Sequence, residues 1–263
     1  MRRLWSALAV AGLLAAAGPV AAAAECPAFD HSHAAWTALL GRYVSAGQVD
    51  YAAWKREGVP ALEAYLGTLS TACPSRYEGW TRAQRLAFWL NVYNASAVKL
   101  VLDLHPLRSL RDVGWLPNAA FRLAVIPMDG LGRGTMSLDD VEHRTIRADP
   151  ALRDPRVHFA LVCAAKSCPP LRVEAYRAAD LDAQLGEQGR TFVGDTSKNR
   201  WDPATRTLYL SSIFKWFRED FAAVAPDLPA FVAPYLEGGA ATAVRAGDVR
   251  VEFLPYDWAL NER

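Results

Sequence analysis

Neither sign of charge prevails in this chain. Its 29 Lys and Arg residues face 28 Asp and Glu, a formal net charge of +1, so it has no electrostatic reason to seek nucleic acid or anionic membrane surfaces. Also missing are a phosphate-binding glycine loop, a GxSxG nucleophile elbow, an HExxH helix and a dinucleotide fingerprint. Their absence disfavours nucleotide-dependent chemistry and zinc-protease chemistry of that type. No Ser/Gly-rich linker, repeat or low-complexity tract divides the sequence, and a single domain is expected. Cysteine is scarce, four in 263 residues.

The first residues form a pattern of their own. Arg2 and Arg3 make a positive start, Leu4 to Gly18 is apolar, and small residues Ala21 to Ala24 precede Glu25. This is the layout of a secretory signal peptide, cleaved near Ala24. A bilayer span needs roughly 20 apolar residues with suitable flanks, and this run trails into alanine, so no membrane span is expected after cleavage. The expected location is periplasmic or secreted. Removing 24 of 263 residues leaves 239 for a globular domain over 25–263, with Lys and Arg reduced from 29 to 27 against 28 acids, a net of −1.

Helical spacing of Trp36, Leu39, Leu40, Tyr43 and Val44 predicts a helix over 34–46, and a second is predicted from Pro60 to Leu69. The clearest signal runs from Thr81 to about Leu102. Thr81 and Gln84 make a capping-box signature, and His105-Pro106 marks the stop. The middle of this segment, LAFWLNVYNASAVKLVL, is apolar almost all round, which places it at the centre of the fold. Short β-like runs follow at 122–128, 157–163, 207–210 and 249–254. Ser137 with Asp140 caps a helix through Arg147, residues 174–193 read as another, and Ser211 caps IFKWFREDF. The fold class expected is α+β, mainly helical around a small β-sheet.

Five strings, FWLNVYN at 88–94, MSLDDVEHRTIR at 136–147, DPRVHFALVCAAKSCPPLR at 154–172, SSIFKWF at 211–217 and LPYDWALN at 254–261, together resemble the family of domains of unknown function numbered 547. The likeness covers roughly Val49 to Asn261. It implies one domain with the family's fold and brings no activity, substrate or cofactor with it.

Chemistry therefore has to come from residues. His158, Cys163, Lys166 and Cys168 lie close together in sequence. Read as a strand, 157–163 would put His158 and Cys163 on opposite faces, with Cys168 in the following loop. One reading makes Cys163 or Cys168 a thiolate nucleophile, with Lys166 nearby to favour the anion and His143 or His158 as general base. The chain would then be a hydrolase or acyl transferase, with Asn94 or an acid orienting the imidazole. The other reading pairs Cys163 with Cys168 and Cys26 with Cys73, making a noncatalytic binding or structural module of the envelope. The Cys26–Cys73 bridge would add roughly 3 to 4 kcal/mol in the loop-entropy model.

A metal held by the two cysteines, His143 and His158 has loose spacing and no supporting cluster, so neither metal nor cofactor is assigned. Asn91 and Asn94 sit in an apolar helix, where buried amides must be paired. They either tie down loop backbone or serve a site, Asn91 by holding substrate. Asp139, His143 and Arg147 share one helix face at four-residue spacing, forming either a solvated ion-pair face or, with Glu142, the lining of a site. Trp89, Trp216 and Trp258 read as core filling, Asp257 as part of a C-terminal clasp, and His31 and His33 as exposed. The ligand expected is a small molecule or peptide.

Overall fold

The computed structural model describes residues 26–116 and 118–263, so the expected signal segment at 1–24 lies outside the described residues. In the N-terminal half come α1 (Ala34–Tyr43), a tight hairpin of β1 (Val44–Ser45) and β2 (Gln48–Val49), then α2 (Tyr51–Glu57), α3 (Val59–Ser70) and α4 (Pro74–Glu78). Helix α1 buries Trp36, Leu39, Leu40 and Tyr43, the face its spacing predicts. It stops short of residue 46 because Val44 turns extended and Ala46 takes a positive φ of 48° in the hairpin turn.

Helix α5 (Arg82–Leu104) is the long central element. Its capping box forms as read: the Thr81 hydroxyl accepts from the Gln84 N–H, and the Gln84 side chain accepts from the Thr81 N–H. Every residue from Leu86 to Val98 is buried. Fully burying one large apolar side chain contributes about 1.5–3 kcal/mol, so this helix, with α2 and α3 packed on it and α1 packed on those two, anchors the larger of two hydrophobic clusters.

Beyond α5, β3 (Ile126–Pro127) pairs antiparallel with β4 (Thr135–Met136). Then follow a π-helical segment Asp140–Ile146, a 3-10 segment Pro155–Phe159 and α6 (Leu181–Gly194). The three-stranded sheet consists of β5 (Arg200–Asp202), β6 (Thr207–Ser211) and β7 (Arg250–Leu254), with β6 in the middle, antiparallel to β5 and parallel to β7. Between β6 and β7 lie α7 (Ser212–Trp216), α8 (Arg218–Ala222), α9 (Leu228–Val232) and α10 (Gly238–Arg245). Phe159, Phe192, Phe214 and Phe221 fill the second cluster, between this sheet and its helices. The fold is α+β and mainly helical, as expected. Among the described residues no helix is long and apolar enough to cross a membrane.

Several local expectations are corrected. Residues 157–163 are not a strand: Asp154 accepts from the Arg156 N–H, Pro155 opens a 3-10 turn, and the chain after Phe159 is irregular. The polar backbone there is satisfied by a side chain instead of a neighbouring strand, since Asn94 donates to the Ala160 carbonyl at 2.9 Å and accepts from the Val162 N–H at 2.9 Å. Of 122–128 only Ile126 and Pro127 pair as strand, Arg122 closing a 3-10 turn.

The helix read over 174–193 starts only at Leu181, because its first residues are held by amides. Asn91 brackets the backbone of Tyr176, donating to its carbonyl at 2.7 Å and accepting from its N–H at 3.0 Å. Gln184 does the same for Ala175 and Arg177. His33 is not exposed. It is buried, with Nδ1 2.8 Å from the Tyr65 hydroxyl, and Phe29 packs edge-on against it.

Candidate acid–base site in an aromatic cavity

The C-terminal residues close the molecule. After β7, the backbone of Asp257 and Ala259 accepts from the N–H groups of Ser167 and Lys166, and Asn261 N–H donates to Ala164. This clasp holds the 163–168 loop, in which Cys163 and Cys168 are paired, as are Cys26 and Cys73. It also sets Tyr256 against both hydrophobic clusters. A cavity of about 490 Å3 opens where the clusters meet, within the ~300–1,000 Å3 range of small-ligand sites.

Its walls are aromatic. Trp216, Tyr256 and Trp258 pack together, with centroids 4.8 Å apart for Trp216 and Tyr256, 4.5 Å for Tyr256 and Trp258, and 5.6 Å for the two stacked indoles. Arg111 lies over Trp258 at 4.9 Å. Trp216 is 48% exposed, so it presents a face to the opening and is not core filling.

The floor comes from the π-helical segment and the 3-10 turn. Ser137 and Asp140 cap the former, the Asp140 carboxylate accepting from the Ser137 N–H at 2.9 Å and hydroxyl at 2.7 Å. The helix expected through Arg147 is π and not α, with Arg147 N–H bonded to the Glu142 carbonyl five residues back. Such widened turns are rare and frequent at functional sites. Asp139, just before this segment, and Glu142 and His143 within it line the cavity together with Tyr93 of α5 and His158.

Two histidines are fixed by their partners. Asp220, from α8, accepts from His158 Nε2 at 2.7 Å and from Arg147 at 2.6 and 3.1 Å. A carboxylate only accepts, so His158 Nε2 carries a proton and Nδ1 is the free acceptor of the neutral ring. That Nδ1 lies 3.9 Å from Glu142 Oε1, while Phe217 stacks on the ring at 3.8 Å. Arg147 donates to His143 Nδ1 at 2.8 Å. The neutral His143 ring therefore carries its proton on Nε2, 3.6 Å from Asp139.

Burial pushes the Glu142 carboxyl up to about 7, outweighing the opposing pull of Arg147 and of the nearby Tyr93 hydroxyl. Its side chain is 13% exposed. Burial likewise lowers His158 and His143, favouring the neutral rings. At Asp220 burial acts upward, but the hydrogen bonds from His158 and Arg147 prevail and hold the carboxyl well below its usual range. A carboxyl poised near neutrality beside a neutral, oriented imidazole can exchange protons with a bound molecule.

Of the residues singled out from sequence, the fold brings His143, His158, Glu142, Cys163 and Cys168 onto one cavity. Because 157–163 is not a strand, His158 and Cys163 do not point apart as that reading required. The paired sulfurs leave no thiolate, so the nucleophile expected at Cys163 or Cys168 is absent from this state. Asn91 and Asn94 spend both amide atoms on backbone and are not in the lining. Lys166 is exposed and also outside it. Among the described residues no group of three or more His, Cys, Asp or Glu is placed to hold a metal ion.

Asp220, Tyr93 and the aromatic wall were not singled out as site residues. Asp220 stands 62 positions from His158, and only the fold connects them. The polar residues in and flanking the π segment did carry a signal, since Asp139, His143 and Arg147 form the network that their spacing implies.

Residues 77–193 match the family described as "Protein of unknown function, DUF547". The match supports the resemblance read from the sequence, over a shorter stretch than Val49 to Asn261. It takes in Tyr93, Glu142, His143, His158 and both paired cysteines of the cavity, but not Trp216, Asp220, Tyr256 or Trp258. Nothing among curated proteins or solved structures matches the chain.

Proposed function

We propose that the cavity is the functional site of an exported enzyme that binds a small organic molecule or short peptide and acts on it by general acid–base catalysis. Glu142 is the base and His158 its companion. The observation that carries this reading is the placement of Glu142. It is a largely buried carboxyl that shares the cavity wall with Tyr93 and lies 3.9 Å from an imidazole nitrogen whose opposite nitrogen Asp220 holds. At 3.9 Å the two are beyond hydrogen-bond reach of each other, so both face a substrate side by side. Hydrolysis fits best: Glu142 takes a proton from water and His158 accepts or returns one, with no covalent intermediate on sulfur. The aromatic wall would receive the flat or apolar part of the ligand. Export is supported by the N-terminal signal pattern and by two disulfides, which persist in oxidising compartments.

A panel of chromogenic esters, amides and glycosides tests the reading. The expected result is turnover that rises with pH through about 7 and falls at least 100-fold in Glu142→Gln, at the lower end of what one positioned acid or base contributes. Turnover unchanged in that variant would overturn it. The disulfide-closed wall favours a second reading, a noncatalytic binding module of the envelope. That reading predicts ligand binding that survives Glu142→Gln, with no turnover in either protein.

A further inference from the structure

The two sulfurs of the Cys163–Cys168 bond have unequal surroundings. Cys163 is partly exposed at the cavity, whereas Cys168 is 2% exposed. Cys168 Sγ accepts from the Cys163 backbone N–H at 2.9 Å and from the Tyr256 hydroxyl at 3.2 Å. The same hydroxyl stands 3.2 Å from Cys163 Sγ. Burial holds the Tyr256 proton firmly, its phenol being pushed above the ordinary range, so it stays a donor at any pH at which thiols react. Thiol–disulfide exchange is fastest when the attacked sulfur is accessible and the departing thiolate is stabilised. This bond has one sulfur suited to each part.

We propose that Cys163–Cys168 is a redox-active disulfide that oxidises a small dithiol or a cysteine-pair peptide entering the cavity. The substrate thiolate attacks Cys163 Sγ, forming a mixed disulfide and breaking the bond to Cys168. Cys168 leaves as a thiolate on the Cys163 N–H and the Tyr256 hydroxyl. The second substrate thiolate then attacks the substrate sulfur bound to Cys163, so that the substrate departs as a disulfide and Cys163 as a thiolate. Two electrons pass to the protein, and the two protons lost by the substrate thiols are taken up, through solvent, by the two cysteines. Cys26–Cys73 closes a far longer loop, with a separation of 47 residues against 5, and in the loop-entropy model the bridge across the longer loop contributes more to folded-state stability.

The test uses the full folded chain and dithiothreitol, with acid quenching, alkylation and mass mapping of each cysteine. Its readout is the redox state of two cysteine pairs and not turnover, so it stands or falls apart from the role of Glu142. Cys163–Cys168 is expected to open at least ten times faster than Cys26–Cys73, and Tyr256→Phe to slow that opening several-fold. Brief exposure to 2-mercaptoethanol is expected to leave its adduct on Cys163. Opening of both bridges only in denaturant, prior opening of Cys26–Cys73, or an adduct mainly on Cys168 would each overturn the proposal. If Tyr256→Phe does not fold, the native chain still yields the relative rates and the site of the adduct.

Discussion

Asp220 governs the site through hydrogen bonds and not through contact with a ligand. It accepts from His158 Nε2 and from two nitrogens of Arg147, whose side chain is 26% exposed. Replacing it by Asn keeps the shape but removes the charge and allows the amide to present a donor. Breaking a buried pair costs about 3–5 kcal/mol, and the partial exposure of Arg147 reduces this, so Asp220→Asn is expected to lose about 2 kcal/mol of stability. Its more telling effect is on the imidazole. Nitrogen-15 spectra of the native protein are expected to show His158 protonated on Nε2, and those of the variant a mixture of tautomers. A single Nε2-protonated tautomer in both would mean that Asp220 does not orient the ring.

Helix α5 positions the site by serving as a surrogate strand. Asn94 supplies to Ala160 and Val162 the bonds that a neighbouring strand would supply, and Asn91 does so for Tyr176. Asn94→Ala strands one buried carbonyl and one buried N–H, each costing about 1–3 kcal/mol. Denaturant titration is expected to show a loss of about 2–4 kcal/mol, and a loss below 1 kcal/mol would show that the loop finds other partners. The same device explains what the sequence could and could not disclose. Helix α5, its capping box and strands β6 and β7 follow from local pattern, whereas the cysteine pairings are one of two readings that the sequence leaves open. The stretch VHFALVC carries strand-forming residues, yet its backbone partners are side-chain amides more than sixty positions away, and no periodicity reports those. The π-helical segment is invisible for a related reason, since its capping residues suit an α-helix equally well.

At the scale of the whole molecule, the cavity exists because two hydrophobic clusters meet at Tyr256 and close over Glu142. Neither cluster by itself brings Tyr93 and the π segment against Phe217, Ile213 and the C-terminal clasp. Asp139, His143 and Arg147 were legible as a charged face, but the enclosure of Glu142 beside them was not, because desolvation is a property of the assembled fold. That enclosure has a thermodynamic signature. A carboxyl raised from its ordinary 4.5 to about 7 holds its proton in the native state at pH values where the unfolded chain has released it. The native state then binds more protons than the unfolded state, so this contribution to stability is complete below pH 4.5 and is lost as pH rises through 7. At 1.36 kcal/mol per unit, it amounts to about 3 kcal/mol. His158 and His143, lowered by burial, act in the opposite sense below pH 6.5, so the comparison must be with a variant that differs only at Glu142. The decisive measurement is the unfolding free energy of the native chain and of Glu142→Gln from pH 4 to 8. The variant is expected to match the native chain near pH 4 and to exceed it by about 3 kcal/mol at pH 8; two curves that stay parallel across that range would show that Glu142 is an ordinary solvated carboxylate, and the site proposed here would lose its base.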